Sequence, residues 1–191
     1  MRRWEKVGLV SVAFLTACGR VAITPPQHEI ATLLGSIQEA NQRGEVGSVG
    51  GYLYLMLPGP PAPLRDWPVT LIPLPPTLEA ALAQSKERFM KTGHVPLTAD
   101  ALRQARQPIT DYINHLVATG HTDLIRTVKT ETGADPKFTV QDVPPGRWLL
   151  LAELPSKVSV LLWAVPVTLT KGRQTWQSLN DKGLWLEGLT P

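Results

Sequence analysis

Thiol chemistry in this chain rests on one residue, because Cys18 is its only cysteine. The segment before Cys18 begins with three basic side chains, continues through a short apolar run at 7–15 and ends in the small residues Thr16 and Ala17. That run is too short for a permanent membrane helix, which needs about 20 apolar residues. A positive start, a short apolar stretch and a small-residue exit together predict an export signal over residues 1–17.

The end of this segment, Leu15-Thr16-Ala17-Cys18, resembles the lipobox of bacterial lipoproteins, Leu-(Ala/Ser/Thr)-(Gly/Ala)-Cys. The resemblance implies a diacylated thioether on Cys18, cleavage before it and often N-acylation of the new terminus. Two or three acyl chains such as palmitate anchor a protein stably to a membrane, whereas one chain is marginal. The implied location is the cell envelope, and Gly19, which replaces an inner-membrane retention aspartate, favours the outer membrane where there are two. The alternatives are an ordinary secretory signal with an incidental cysteine, or a free core thiol.

Other residues that could do chemistry are few. His115, His121 and Asp123 form the densest group of metal-ligand side chains, but only residues three or four apart share a helix face. Glu131 and Asp135 could act as the paired carboxylates of a glycoside hydrolase, although acids in a turn usually face solvent. The sequence has no Gly-x-Ser-x-Gly elbow and no glycine-rich phosphate loop. We therefore expect that the protein is not an enzyme and that it binds no metal and no cofactor.

Charge and composition limit the possible partners. Removal of residues 1–17 takes away three basic residues and one acidic residue, so the formal charge falls from +3 to +1. This balance gives no support for a nucleic-acid partner. The apolar content of 43% is typical of a globular protein. With Cys18 acylated no disulfide can form, so the fold must rest on packing.

The chain then divides by its hydropathy pattern. Residues 18–44 are expected to hold the lipidated cysteine, a tether and one amphipathic helix. Residues 45–183 show period-two strands separated by proline- and glycine-rich turns, which predicts a mainly β protein, a seven-stranded β-sandwich. The turn Pro144-Pro145-Gly146 should reverse the chain between two paired strands. Residues 184–191 are expected to form a C-terminal tail.

Residues 76–121 interrupt this pattern as a two-helix insertion between the second and third strands. The two helices are expected to be capped by Thr77 and Thr98, and Pro108 should kink or split the second helix. We expect this insertion to be a satellite of the sandwich, so that a chain lacking residues 77–119 still folds.

Several short segments carry a family resemblance. They are Val49-x-Gly51, Val69-x-Leu71, Thr130 to Phe138, Val143-Pro144-Pro145-Gly146-Arg147-Trp148 and Trp163-x-x-Pro166-Val167. Over about residues 46–75 and 122–180 the chain resembles the carboxypeptidase regulatory-like domain, a transthyretin-like or prealbumin-like sandwich. The resemblance implies an immunoglobulin-like sandwich without catalytic residues of its own.

Six tryptophans must supply much of the aromatic core, since the chain has only three tyrosines and three phenylalanines. We assign Trp148 and Trp163 to that core. Trp176 is out of phase with Leu179, and Trp67 lies beside a turn, so both are candidates for ligand binding. The favoured function is a non-catalytic envelope lipoprotein that gives structural support or binds an unknown envelope protein. The alternatives are a carbohydrate-binding module with exposed tryptophans, or an enzyme centred on the helical insertion.

Overall fold

The computed structural model describes residues 27–55, 60–90, 96–133, 135–157, 159–180 and 183–189. The predicted signal, Cys18 and the tether lie outside these residues. Three α-helices and one 3₁₀ helix occur in the described chain: α1 (Gln27–Gln42), α2 (Pro76–Met90), α3 (Ala99–Ala118) and the 3₁₀ turn Thr122–Leu124. The described strands are β1 (Gly47–Tyr52), β2 (Tyr54–Leu55), β3 (Ala62–Pro63), β4 (Pro68–Pro73), β5 (Arg126–Lys129), β6 (Lys137–Val143), β7 (Gly146–Pro155), β8 (Ser159–Leu169), β9 (Gln174–Trp176) and β10 (Leu184–Leu189).

Two sheets form the centre of the molecule. One has five strands in the order β10-β8-β7-β4-β5, and the other has three in the order β6-β1-β9. A small pair, β2-β3, lies beside them. The prediction of a mainly β protein with a few helices is therefore confirmed, but the described residues contain ten strands rather than seven. Several of these strands have only two or three residues, too few to produce a visible period-two pattern.

The proline-rich corner joins the two sheets. Before it, β6 pairs with β1, and after it, β7 pairs with β4 and β8. The expectation that Pro144-Pro145-Gly146 reverses the chain between two paired strands is therefore wrong: the turn carries the chain from one sheet to the other. Gly146 has φ +146°, a conformation that side chains disfavour. The indole Nε1 of Trp148 donates a hydrogen bond to the Pro144 carbonyl at 3.0 Å, which holds the corner against the core.

The core lies between the sheets and also beneath the helices. Strand β7 is buried on both faces, because Trp148 to Ala152 are all buried in succession. One face of the five-stranded sheet is covered by α3, since Gly188 of β10 lies against Leu102 of that helix. Arg147 and Glu153 lie on the same face of β7 as Leu149 and Leu151. Both charged side chains form ion pairs with the helices. These are Arg147–Glu79 at 2.5 Å and Arg106–Glu153 at 3.0 Å.

The helical insertion is consequently a layer of the fold and not a satellite. The buried stripe of α3 belongs to the same hydrophobic core as β7, and it contains Leu102, Ala105, Ile109, Tyr112 and Leu116. Leu97, just before α3, exchanges backbone hydrogen bonds with Glu187 and Leu189 of β10. Period-two reasoning missed this because it assigned one solvated face to each strand, as in a two-layer sandwich.

The first and last described elements, α1 and β10, both pack into the body of the protein. The apolar face of α1 is buried, with Ile30, Leu34 and Ile37 all within the core. Residues 184–189 form β10 and pair with β8, so the predicted C-terminal tail is wrong over this range. A six-residue edge strand with a glycine in it shows little of the alternation that marks a strand in a sequence.

Helix boundaries test the local predictions. Thr98 caps α3 as expected, with its side-chain oxygen accepting from the Ala101 amide at 3.3 Å. Thr77 is not a cap: α2 begins at Pro76, and the buried Thr77 hydroxyl has no partner within the described chain. Proline suits the first helical position because its missing N–H is not needed there. Pro108 lies inside α3, which continues unbroken from Ala99 to Ala118, so the predicted split is wrong.

Candidate functional site

The structure separates the two tryptophans that the sequence proposed as binding residues. Trp67 is half-buried, and its indole Nε1 donates to the Glu153 carbonyl at 2.8 Å. Its backbone amide donates to the buried Thr130 hydroxyl at 2.9 Å. These bonds fix Trp67 as a structural residue at the β4 side of the sheet. Trp176, by contrast, is 50% exposed, which matches the phase argument made from the sequence.

Trp176 lies on the outward face of the three-stranded sheet. The inward face of β1 carries the fully buried Val49, so residues 48, 50 and 52 lie on the opposite, outer side. Parallel pairing places Trp176 level with Gly50. A Cβ atom added at Gly50 would lie 3.1 Å from Cζ3 of the Trp176 ring. The indole therefore rests against the sheet in the space that a side chain at residue 50 would take.

Tyr52 completes this aromatic surface. Its ring meets that of Trp176 edge to face, with 5.4 Å between the ring centroids and 71° between the planes. Such an aromatic pair stabilises the folded protein by about 0.5–1.5 kcal/mol beyond the effect of the apolar area it buries. We call Trp176, Tyr52 and Gly50 the aromatic platform.

Polar side chains surround the aromatic platform. The amide nitrogen of Gln174 lies 3.1 Å from the position of a Cβ at Gly50, beside the indole. On the other neighbouring strand, Thr139 pairs with Gly50 and Lys137 pairs with Tyr52. The ammonium group of Lys137 lies 3.7 Å from the Glu131 carboxylate. An aromatic ring with amide and hydroxyl groups beside it can stack on one face of a ligand and form hydrogen bonds at the ligand's edge.

A cavity of about 480 Å³ adjoins the platform at Tyr52. It is lined by Tyr52, Leu53, Tyr54, Pro61, Pro63, Asp135 and Pro136. The hydroxyl of Tyr54 accepts a hydrogen bond from the Asn180 side chain at 3.2 Å, which fixes that ring at the wall. Neither tyrosine was among the binding residues predicted from the sequence. The spacing Tyr52-x-Tyr54 in a strand was the available signal, since residues two apart share a face.

The remaining chemical candidates do not come together. His115 lies in the last turn of α3, His121 follows that helix and Asp123 is exposed in the 3₁₀ turn. Within the described ranges no three His, Cys, Asp or Glu side chains are placed to hold a metal ion. Glu131 is paired with Lys137, whereas Asp135 lines the cavity, so the two acids of the glycosidase hypothesis have different surroundings. Burial raises the pKa of Tyr112, which belongs to the core and not to the cavity.

Comparisons with known proteins identify no family. No family model matches the chain, and no curated protein matches it. One similar structure is a protein of Pseudomonas aeruginosa provisionally described as carbohydrate binding, with 17% identity, TM-score 0.48, and coverage of 83% of this chain and 98% of that one. Another is the minor pilin of the Gram-positive pathogen Streptococcus agalactiae, with 10% identity, TM-score 0.38, and coverage of 77% of this chain and 46% of the pilin. At these values neither similarity carries an argument about function.

The resemblance to the carboxypeptidase regulatory-like domain stays a prediction, as does that to the lipoprotein signal. None of the described helices is both long enough and apolar enough to cross a bilayer.

Proposed function

We propose that the protein is a non-catalytic, lipid-anchored lipoprotein of the cell envelope that binds a glycan on the aromatic platform. The observation that carries the binding role is the half-exposed Trp176, whose ring lies beside Gly50 and in edge contact with Tyr52. An indole that is exposed on a rigid strand can stack on a sugar ring without ordering a flexible loop, and this lowers the entropic cost of binding.

The surroundings of Trp176 favour a glycan over a protein partner. Large exposed apolar side chains in the described chain are Val117, Trp176 and Leu189, and they lie on three different elements, α3, β9 and β10. A protein interface needs a contiguous apolar centre of several such side chains. Gln174 and Thr139, on the strands beside β1, instead supply hydrogen-bonding groups suited to sugar hydroxyls.

The anchor part of the proposal rests on the sequence alone. Leu15-Thr16-Ala17-Cys18 supports lipidation at Cys18 and, through it, membrane attachment in the envelope. A tether of only eight residues, 19–26, would then separate the acyl chains from α1. Such a protein would meet envelope glycans close to the membrane surface, with the outer membrane the favoured site where there are two.

Binding to glycans tests the proposal. The full-length protein in mild detergent is titrated with hexasaccharides of N-acetylglucosamine and of glucosamine, and is incubated with insoluble peptidoglycan. We expect Trp176→Ala to weaken binding at least about tenfold, as truncation of an aromatic anchor does. Val117→Ala, which also removes an exposed apolar side chain, is the matched control and should bind as wild type does.

A second variant separates the position of the ring from its presence. Gly50→Ala keeps Trp176 but places a methyl group 3.1 Å from the indole, from the Gln174 amide and from the Phe138 carbonyl oxygen, so the ring must give way by a few tenths of an ångström. We expect it to weaken glycan binding as well. Equal binding by wild type and Trp176→Ala, or no binding to any of the three glycans, would overturn the proposed function and return the platform to a structural role.

A further inference from the structure

The cavity beside the aromatic platform extends the proposed site along the strand. Tyr52, the last residue of β1, belongs to both the platform and the cavity. Tyr54, the first residue of β2, also lines the cavity, and the backbone of both tyrosines is hydrogen-bonded to Leu179. The backbone stays extended from β1 into β2 through the bridge of Leu53 to Leu179, so at about 3.3 Å per residue the distance from Gly50 to Tyr54 is roughly 13 Å. A ligand chain that stacks on Trp176 can therefore place its next units into the cavity.

The cavity wall is apolar apart from a single charge. Its lining is mostly aromatic rings, proline rings and a leucine, and Asp135 is the one carboxylate among the described lining residues. Asp135 is exposed, and its carboxylate has no hydrogen-bond or ion-pair partner among the described residues. The nearest basic residue along the chain, Lys137, is instead paired with Glu131. The cavity thus presents, beside two tyrosine rings, a negative charge that no cation of the described chain neutralises.

This combination selects for a cation. A positive group over an aromatic face is attracted by the ring quadrupole, and an ammonium group forms a short, charge-assisted hydrogen bond with a carboxylate. A carboxylated or phosphorylated sugar would be repelled by Asp135. A neutral acetamido group carries no charge to attract the Asp135 carboxylate.

We infer that the cavity binds the protonated amine of a de-N-acetylated hexosamine, with Asp135 as its counter-ion. This inference rests on the proposed glycan-binding function and adds the class of sugar. The platform would stack one ring of the glycan chain, and the cavity would distinguish an amino sugar from its N-acetylated form.

The test compares two hexasaccharides that differ only in N-acetylation, at a pH where the free amine is protonated. The full-length protein in mild detergent is titrated calorimetrically with glucosamine hexasaccharide and with N-acetylglucosamine hexasaccharide. We expect the wild type to prefer the amine form by about two- to fivefold, the size of one solvent-exposed ion pair. High salt should reduce this preference, because screening weakens exposed charge pairs.

Asp135→Asn keeps the size of the side chain and removes its charge, so the preference should disappear while binding of the acetylated form is unchanged. Asp123→Asn removes the same charge from an exposed site outside the cavity lining and should keep the preference. Equal affinity of the wild type for both sugars, or an undiminished preference in Asp135→Asn, would overturn the inference.

The outcomes also separate this inference from the proposed function. Trp176-dependent binding without discrimination between the two sugars overturns only the role of Asp135. Failure of the wild type to bind either hexasaccharide overturns the inference, and binding to peptidoglycan then decides whether the broader function stands.

Discussion

Trp148 and Trp176 provide a direct test of how the sheets are placed, because the same substitution should have different effects at the two sites. Trp148 is fully buried between the sheets and its indole donates to the Pro144 carbonyl, whereas Trp176 is 50% exposed. Truncation of a buried tryptophan to alanine typically costs about 3–5 kcal/mol. Since a domain of this size is stable by only about 5–15 kcal/mol, Trp148→Ala should leave a barely folded protein.

The loss at Trp176 should be much smaller. Half of its surface is already in water, so Trp176→Ala forfeits only about half of the transfer free energy and its edge contact to Tyr52, about 2 kcal/mol together. In urea, with a slope of about 2 kcal/mol per molar, the two unfolding midpoints should fall by roughly 2 M and by at most 1 M.

Urea unfolding followed by far-ultraviolet circular dichroism measures both midpoints. Trp148→Phe is the matched control: it keeps most of the ring packing but leaves the Pro144 carbonyl without its donor, so its midpoint should lie between those of wild type and Trp148→Ala. Equal midpoints for the two alanine variants, or a lower one for Trp176→Ala, would refute the inward and outward assignments.

Three other perturbations have defined expected outcomes. Excision of residues 77–119 with a short glycine linker should abolish the β-type dichroism spectrum, because it uncovers the buried leucines on the helix side of β7; a folded deletion variant would restore the satellite interpretation. Gly188→Ala should lower the free energy of unfolding by about 1–3 kcal/mol, measured as a lower urea midpoint, since its Cβ would lie 2.8 Å from the Leu102 side chain. Gly183→Ala is the control: its Cβ would lie 3.6 Å from Val165, an ordinary contact, so its midpoint should be close to that of the wild type. Cys18→Ala should leave an uncleaved precursor without label when cells are grown with radioactive palmitate, and equal incorporation into both proteins would contradict lipidation.

Sequence patterns predicted those parts of the structure that depend on neighbours along the chain. Helical spacing located the apolar face of α1, and the cap at Thr98 follows from a hydroxyl that reaches the amide three residues later. Local bonding explains both successes, since the interacting groups are only a few residues apart. Thr77 failed as a cap because Pro76, one residue earlier, is itself suited to begin a helix.

The sequence also placed Trp148 and Trp163 in the core and Trp176 at the surface, and the structure confirms all three positions. Alternation along a strand fixes which residues share a face. It does not fix what covers that face. The second buried side of β7 and the conversion of the expected tail into β10 both depend on contacts with α3, more than 30 residues away in the chain.

The candidate site shows the same division. The spacing Tyr52-x-Tyr54 predicts that both side chains lie on one face if the backbone between them is extended, so this relation was readable from the sequence. Their proximity to Trp176 and Asp135 was not, because β9 and the turn before β6 reach β1 only through pairing across more than 80 residues of chain. Local sequence thus determined the direction in which each side chain points, whereas strand pairing in the tertiary structure decided which of them share a site, since pairing depends on the burial of whole faces and not on any single segment.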